Sequence, residues 1–263
     1  MSFFTVVDLW AGYGEDRILQ GVSFSAESGQ ITGILGANGS GKTTLLKAIC
    51  QILPHSGSCV LDGTALEELR PKKLGRMCGY IPQRSGISIE ISVLDVVLMG
   101  FNPVLGLLEH PNEGMKREAR RALSLVGLEG YEDADYLQLS EGQKQLCILA
   151  RTMVADGKLL LLDEPESALD FRHRSRMLDI LRQQIDGNRK SALVTLHDPA
   201  LALNRCDRLI LLDSGRVLDI LNPAEDPTDK MEASLSVLYG PVSLVRCCGR
   251  TGREHLVMLG EES

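Results

Sequence analysis

Gly36-Ala37-Asn38-Gly39-Ser40-Gly41-Lys42-Thr43 is the stretch on which the reading of this 263-residue chain turns. It fits G-x-x-x-x-G-K-[ST] and lies between the apolar run Gln30–Leu35, which reads as a strand, and a helical pattern from about Lys42 to Cys50. Glycines let the backbone wrap until successive N–H groups point inward as an anion nest. A helix starting near Lys42 aims the positive end of its dipole at the same place. Lys42 can reach the outer phosphates of a nucleotide, and the Thr43 hydroxyl can ligate Mg²⁺. An ordinary glycine turn before a helix needs neither the lysine nor the hydroxyl.

Downstream, Leu159-Leu160-Leu161-Leu162-Asp163-Glu164 reads as a buried parallel strand ending in two carboxylates. Such strand ends line the ligand crevice of α/β sheets. Asp163 suits Mg²⁺ held through water, and Glu164 suits polarisation of a water that attacks the γ-phosphate. Twenty residues before Asp163 lies Leu139-Ser140-Glu141-Gly142-Gln143. Ser140 is a good N-cap, and Gln143 three residues later completes a capping box.

The remaining pattern alternates strands and helices. Phe3–Leu9 and Ile18–Ala26 read as strands separated by Gly12-Tyr13-Gly14, with Val22, Phe24 and Ala26 set against Ser23 and Ser25. Gly57–Asp62, Cys78–Ile81 and Ala192–Leu196 read as further strands. Leu66–Leu74 reads as a short helix, and Leu209–Leu212 with Arg216–Ile220 as a hairpin about Asp213-Ser214-Gly215. Between 84 and 157 helical periodicity takes over: Lys116–Leu128 puts Ala119, Ala122, Leu123 and Val126 on one face. Phe171–Ile185 is another helix.

Composition narrows the class. A net charge of −7 offers no general field for nucleic acid, and 4% aromatic content disfavours a base-stacking surface. No run approaches the ~18 apolar residues of a membrane span. The opening Met1–Trp10 lacks the basic region and cleavage site of a signal peptide and reads as a strand. The chain is therefore expected in the cytoplasm unless a partner holds it at a membrane. Seven scattered cysteines without CxxC spacing suit reduced thiols. The adjacent pair Cys247-Cys248 chelates poorly alone, so no structural metal site is expected there.

With the phosphate loop, the acidic strand and Leu139–Gln143 in this order, the sequence resembles the ATPases of ABC transporters. The resemblance covers residues 3–222. It implies an α/β fold: a P-loop NTPase (RecA-like) core with an N-terminal antiparallel β subdomain and an inserted α-helical subdomain. The expected layout is one ABC ATPase domain over 1–263. Its core and β subdomain occupy 1–83 and 158–225, the helical signature subdomain 84–157, and a short C-terminal extension 226–263. The implied ligands are ATP and Mg²⁺. In the family's pattern Asn38, Gly39, Ser40, Gly41, Lys42, Thr43 and Thr44 hold the phosphates, while Thr43, Gln83 and Asp163 serve Mg²⁺. Tyr13 resembles the aromatic that stacks on adenine, and Gln83, after Tyr80-Ile81-Pro82, the Q-loop glutamine. Glu164 matches the catalytic carboxylate and His197 the switch histidine that contacts the γ-phosphate. Ser167-Ala168-Leu169-Asp170 looks like the D-loop. Ser140, Gly142 and Gln143 face the nucleotide held by a second subunit, so that two chains sandwich two ATP. Glu141 stands where the family most often has glycine, and its side chain is expected to point away from the phosphate.

Ser92–Pro103 is similar to the V-x-D-V-V-x-x-G-x-x-P stretch of importers for iron–siderophores, haem and cobalamin, as are Leu196-His197-Asp198 and Leu238-Tyr239-Gly240. The resemblance implies a homodimer beneath polytopic permease subunits at the cytoplasmic face of the membrane. An extracytoplasmic substrate-binding protein would act indirectly, and nucleic acid is not a partner. Zinc, manganese or molybdate importers and a soluble ATPase of iron–sulfur assembly stay open as alternatives.

Overall fold

The computed structural model describes residues 2–106, 108–167, 169–249, 252 and 254–260, the side chains of 171 and 172 apart. The chain forms two compact units, Met1–Glu67 with Leu193–Ser263, and Glu68–Ala192.

The first unit opens with β1 (Phe4–Tyr13) and β2 (Asp16–Ala26). Gly12-Tyr13 does not interrupt β1, as the sequence suggests; β1 and β2 pair antiparallel as far as Tyr13 and Asp16. Val22, Phe24 and Ala26 are buried while Ser23 is exposed, as the alternation requires. A register shift between Leu9↔Val22 and Trp10↔Gln20 skips Gly21, which has φ 74°. That bulge lets Leu19 and Val22 both face inward although they differ in parity. The chain continues through β3 (Ile31–Leu35), buried throughout, α1 (Lys42–Ile49), β4 (His55–Leu61) and β5 (Thr64–Ala65). One sheet has the order β2-β1-β4-β5 and is antiparallel throughout.

The second unit contains α2 (Pro71–Met77), β6 (Cys78–Ile81), α3 (Val93–Leu98), α4 (Glu113–Val126), α5 (Glu141–Val154), β7 (Leu159–Leu162) and α6 (Phe171–Ile185). The single helix expected over Leu66–Leu74 is instead a 3₁₀ turn, Leu66–Glu68, followed by α2 with Pro71 at its first turn. Proline lacks the N–H that would continue a helix but suits a helix start. On α4 the buried residues are Ala119, Ala122, Leu123 and Val126, and Gly127 caps its end at φ 84°. Burying the Leu and Val of that stripe contributes ~1.5–3 kcal/mol each. α5 packs on both α3 and α4. β6 and β7 run parallel with Cys78↔Leu159 and Ile81↔Leu162 in register, so both strands end at one edge.

The chain re-enters the first unit along β8 (Ser191–Thr195), then forms α7 (Pro199–Arg205), β9 (Arg208–Asp213), β10 (Arg216–Leu221), α8 (Thr228–Tyr239), β11 (Val242–Cys248) and β12 (Glu254–Gly260). In this unit the strand order is β10-β9-β3-β8, with β3 and β9 parallel. Ser214 and Gly215 turn the β9–β10 hairpin with φ 46° and 76°. The last two strands form their own antiparallel pair.

Candidate functional site

The first unit builds the phosphate loop. Gly36 follows β3 directly, and its α-hydrogen points where a Cβ would meet Leu212 O at 2.2 Å and Ser40 Oγ at 2.5 Å. Only glycine fits there. Gly39 (φ 82°) and Gly41 (φ 105°) then turn the chain into α1. Gly41 is the N-cap, and no side chain caps the helix. Its first turn thus carries no acidic side chain and no side-chain cap, which suits an anion there.

Lys42 is 5% exposed, and its Nζ donates to Gly36 O at 2.8 Å and Ala37 O at 3.2 Å. The ammonium is held over the loop by the loop's own carbonyls. Ser40 Oγ is buried and has no hydrogen-bond partner among the described residues. A hydroxyl in that state is costly unless something polar meets it, and a phosphate oxygen would do so. Thr44 is buried and Thr43 half-buried on α1; Asn38 and Gly39 are exposed at the loop tip.

His197 sits just past β8, exposed, and Leu196 N donates to Ile34 O at 3.1 Å. The ends of β3 and β8 therefore carry the loop and His197 side by side. Asp198 caps α7 by accepting from Leu201 N at 3.0 Å. Tyr13 is exposed in an open cleft of about 750 Å³ with Trp10, Arg17 and His55.

The second unit builds the acidic strand end. Because β6 and β7 end together, Gln83 and Asp163-Glu164 emerge at one edge, and Asp163 N donates to Ile81 O at 2.9 Å. Gln83 Nε2 donates to Glu164 Oε2 at 2.5 Å. Asp163, 2% exposed, accepts from the Tyr80 hydroxyl at 3.3 Å. Glu164 has φ 47°, a left-handed conformation uncommon outside glycine. Its carboxylate meets Gln83 at the edge where β6 and β7 end.

Ser140 and Gln143 make the capping box read from the sequence: Gln143 N donates to Ser140 Oγ at 3.3 Å, and Ser140 N to Gln143 Oε1 at 3.0 Å. Glu141 turns back along α5 to Lys144 Nζ at 2.8 Å and stays exposed. Ser140, Gly142, Gln143, Leu169, Asp170 and His173 line a cleft of about 340 Å³. Asp170 caps α6, accepting from His173 N at 2.9 Å with His173 Nδ1 at 2.8 Å. Ala168, in the middle of Ser167–Asp170, lies outside the described residues.

Two supporting side chains escape the sequence reading. Gln145, buried on α5, donates through Nε2 to Gln83 O at 2.6 Å, tying the glutamine segment to the helix that starts at Ser140–Glu141. Tyr80 is the hydroxyl on Asp163. A glutamine two positions after Gln143, beside the apolar run Leu146–Leu149, and a tyrosine in an otherwise apolar strand were the available signals.

A glycine-built anion loop, a lysine clamped above it and a glutamine–glutamate pair at a strand edge are the parts of a nucleoside-triphosphate hydrolase. Comparison with known proteins says which kind. A family model described as ABC transporter matches residues 19–167. The chain is 37% identical to the hemin import ATP-binding protein HmuV of Jannaschia sp., over 90% of this chain and 87% of that one. It is 34% identical to a probable iron chelatin transport ATP-binding protein of Helicobacter pylori, over 86% and 89%. Among solved structures, an inward-facing ABC transporter of metal-chelate type matches with TM-score 0.82 and 25% identity over 98% of both chains. cbiO1 from Clostridium perfringens, part of the cbiONQ complex, matches with TM-score 0.74 and 26% identity over 90% and 95%. With matches of this length on a chain whose phosphate loop, acidic strand end and capped Ser140 helix are all formed, the protein belongs to the ABC transporter family, as one of its ATP-binding cassettes.

Proposed function

We propose that this chain is the ATP-binding and ATP-hydrolysing subunit of an importer for a metal chelate: an iron–siderophore, haem or cobalamin. The observation that carries hydrolysis is the Gln83–Glu164 hydrogen bond, which holds a carboxylate in a strained backbone position beside an amide able to orient water. The cargo class rests on the relatives named for hemin and iron chelatin and on the metal-chelate type neighbour.

In this reading Lys42 and the loop from Asn38 to Thr44 take the triphosphate, and Tyr13 stacks on the base. Glu164 accepts a proton from the attacking water, Gln83 orients that water, and His197 contacts the γ-phosphate. Ser140, Gly142 and Gln143 meet the ATP of a second copy, and Asp170 faces the same cleft. The Glu141–Lys144 pair keeps the extra carboxylate on the helix surface, which limits its repulsion of a phosphate. Thr43, Gln83 and Asp163 would hold Mg²⁺: all three offer oxygen, as a hard cation requires, and burial of the Asp163 carboxylate favours a cation beside it. When bound, Mg²⁺ neutralises charge on the outer phosphates.

None of the described helices is long and apolar enough to cross a membrane. Two copies dock beneath polytopic permease subunits at the cytoplasmic face, through the surface around Gln83–Pro103, and an extracytoplasmic binding protein delivers the cargo. Exposed Ile89 and Val104 in and beside that surface favour a partner there. Affinity purification from native membranes followed by mass spectrometry tests the reading. A polytopic permease should accompany the chain. Recovery with soluble iron–sulfur assembly proteins, or with no membrane protein, would overturn the importer assignment.

A further inference from the structure

His55, Cys59 and Glu67 form a cluster that ATP hydrolysis does not use. An imidazole nitrogen, the thiol sulfur and a carboxylate oxygen all lie within 4.8 Å of one another. His55 and Cys59 are four apart on β4 and so share a face. The strand bends between them at Gly57 (φ 96°), where a Cβ would strike Asp8 O at 2.3 Å. Asp62 and Gly63, at φ 48° and 76°, turn the chain tightly into β5. The 3₁₀ turn Leu66–Glu68 then lays Glu67 over β4. Glu67 Oε1 accepts from Cys59 N at 2.6 Å and stands 3.3 Å from His55 Nε2. Both contacts use Oε1, which leaves Oε2 to turn toward a cation.

We propose that His55, Cys59 and Glu67 bind a borderline divalent cation of the Zn²⁺ kind. Imidazole, thiolate and carboxylate together suit such an ion, whereas Mg²⁺ and Ca²⁺ take oxygen ligands. Bonds of ~2.0–2.3 Å in a tetrahedral site place ligand atoms ~3.3–3.8 Å apart, so side-chain rotation closes the present span. Cys59 is buried and the His55 side chain is 6% exposed, while Glu67 at 30% marks the solvent side, where entry and a water ligand belong. Binding expels the Cys59 thiol proton to solvent. His55 also lines the cleft that contains Tyr13, so an occupied site fixes an imidazole on the wall of that cleft.

The test is a Co²⁺ titration of the whole chain with Cys247→Ser and Cys248→Ser, which removes the exposed thiol pair. One equivalent should give a thiolate-to-cobalt charge-transfer band with tetrahedral visible bands, bleached by Zn²⁺. Cys59→Ser should abolish the charge-transfer band. Glu67→Gln, which keeps an oxygen for Cys59 N and so preserves the local fold, should weaken binding at least ~10-fold. His55→Ala should do the same. Absence of the band in the parent protein, or affinity unchanged from the parent in Glu67→Gln and His55→Ala, would overturn the site.

Discussion

Lys42 is held by two loop carbonyls at 2.8 and 3.2 Å, so its ammonium is positioned before any phosphate arrives. Preorganisation of this kind places a charge without an ordering cost at binding. Lys42→Ala should therefore weaken ATP binding at least ~10-fold, about 1.4 kcal/mol, in a calorimetric titration. Undiminished affinity would remove the lysine from the phosphate site. The thiols give a second residue-scale prediction. Burial pushes Cys78 and Cys147 up to about 12, and both are enclosed, whereas Cys247 and Cys248 are exposed. At pH 8 an alkylating reagent should label Cys247 and Cys248 first, with Cys78 and Cys147 reacting only after denaturation, as peptide mass mapping would read.

At the scale of elements, two helix contacts have quantifiable weight. Ser140→Ala removes one arm of the capping box and should cost ~1 kcal/mol, a fall in melting temperature of ~2–4 °C. Gly100 lets the turn after α3 approach α5 so closely that a Cβ would meet Arg151 O at 2.2 Å and Val154 Cγ2 at 2.5 Å. Gly100→Ala should destabilise by ~1–3 kcal/mol in a denaturant titration. Much of this was legible in advance. Cys78–Ile81, Leu159–Leu162 and Phe171–Ile185 have the bounds read from their apolar patterns, and the α4 stripe is the four residues that periodicity picks out. The motifs around 36–43 and 163–164 announce themselves because the backbone they need admits few residue types. What stayed hidden depends on tertiary context. The continuation of β1 through Gly12-Tyr13 follows from pairing with β2, which overrides local glycine. The C-terminal helix and hairpin, Thr228–Tyr239 and Val242–Gly260, carry short mixed patterns that become elements only on packing: Met231, Leu235, Leu244 and Leu256 are the buried members. Gln145 reaches Gln83 O across sixty-two positions, which no spacing rule reports.

For the whole molecule, the proposed role is one half of an ATP-driven clamp beneath a membrane pathway, closed in that proposal by the loop of one copy and the Ser140 helix of the other. Removing the base should then separate binding from turnover. The measurement that tests this most directly compares Glu164→Gln with the parent chain for ATP affinity, steady-state phosphate release and oligomeric state at saturating ATP. ATP affinity should stay within a few-fold of the parent, phosphate release should fall at least ~100-fold, and a dimer should persist on ATP. Near-parental turnover, or a monomer at saturating ATP, would contradict it.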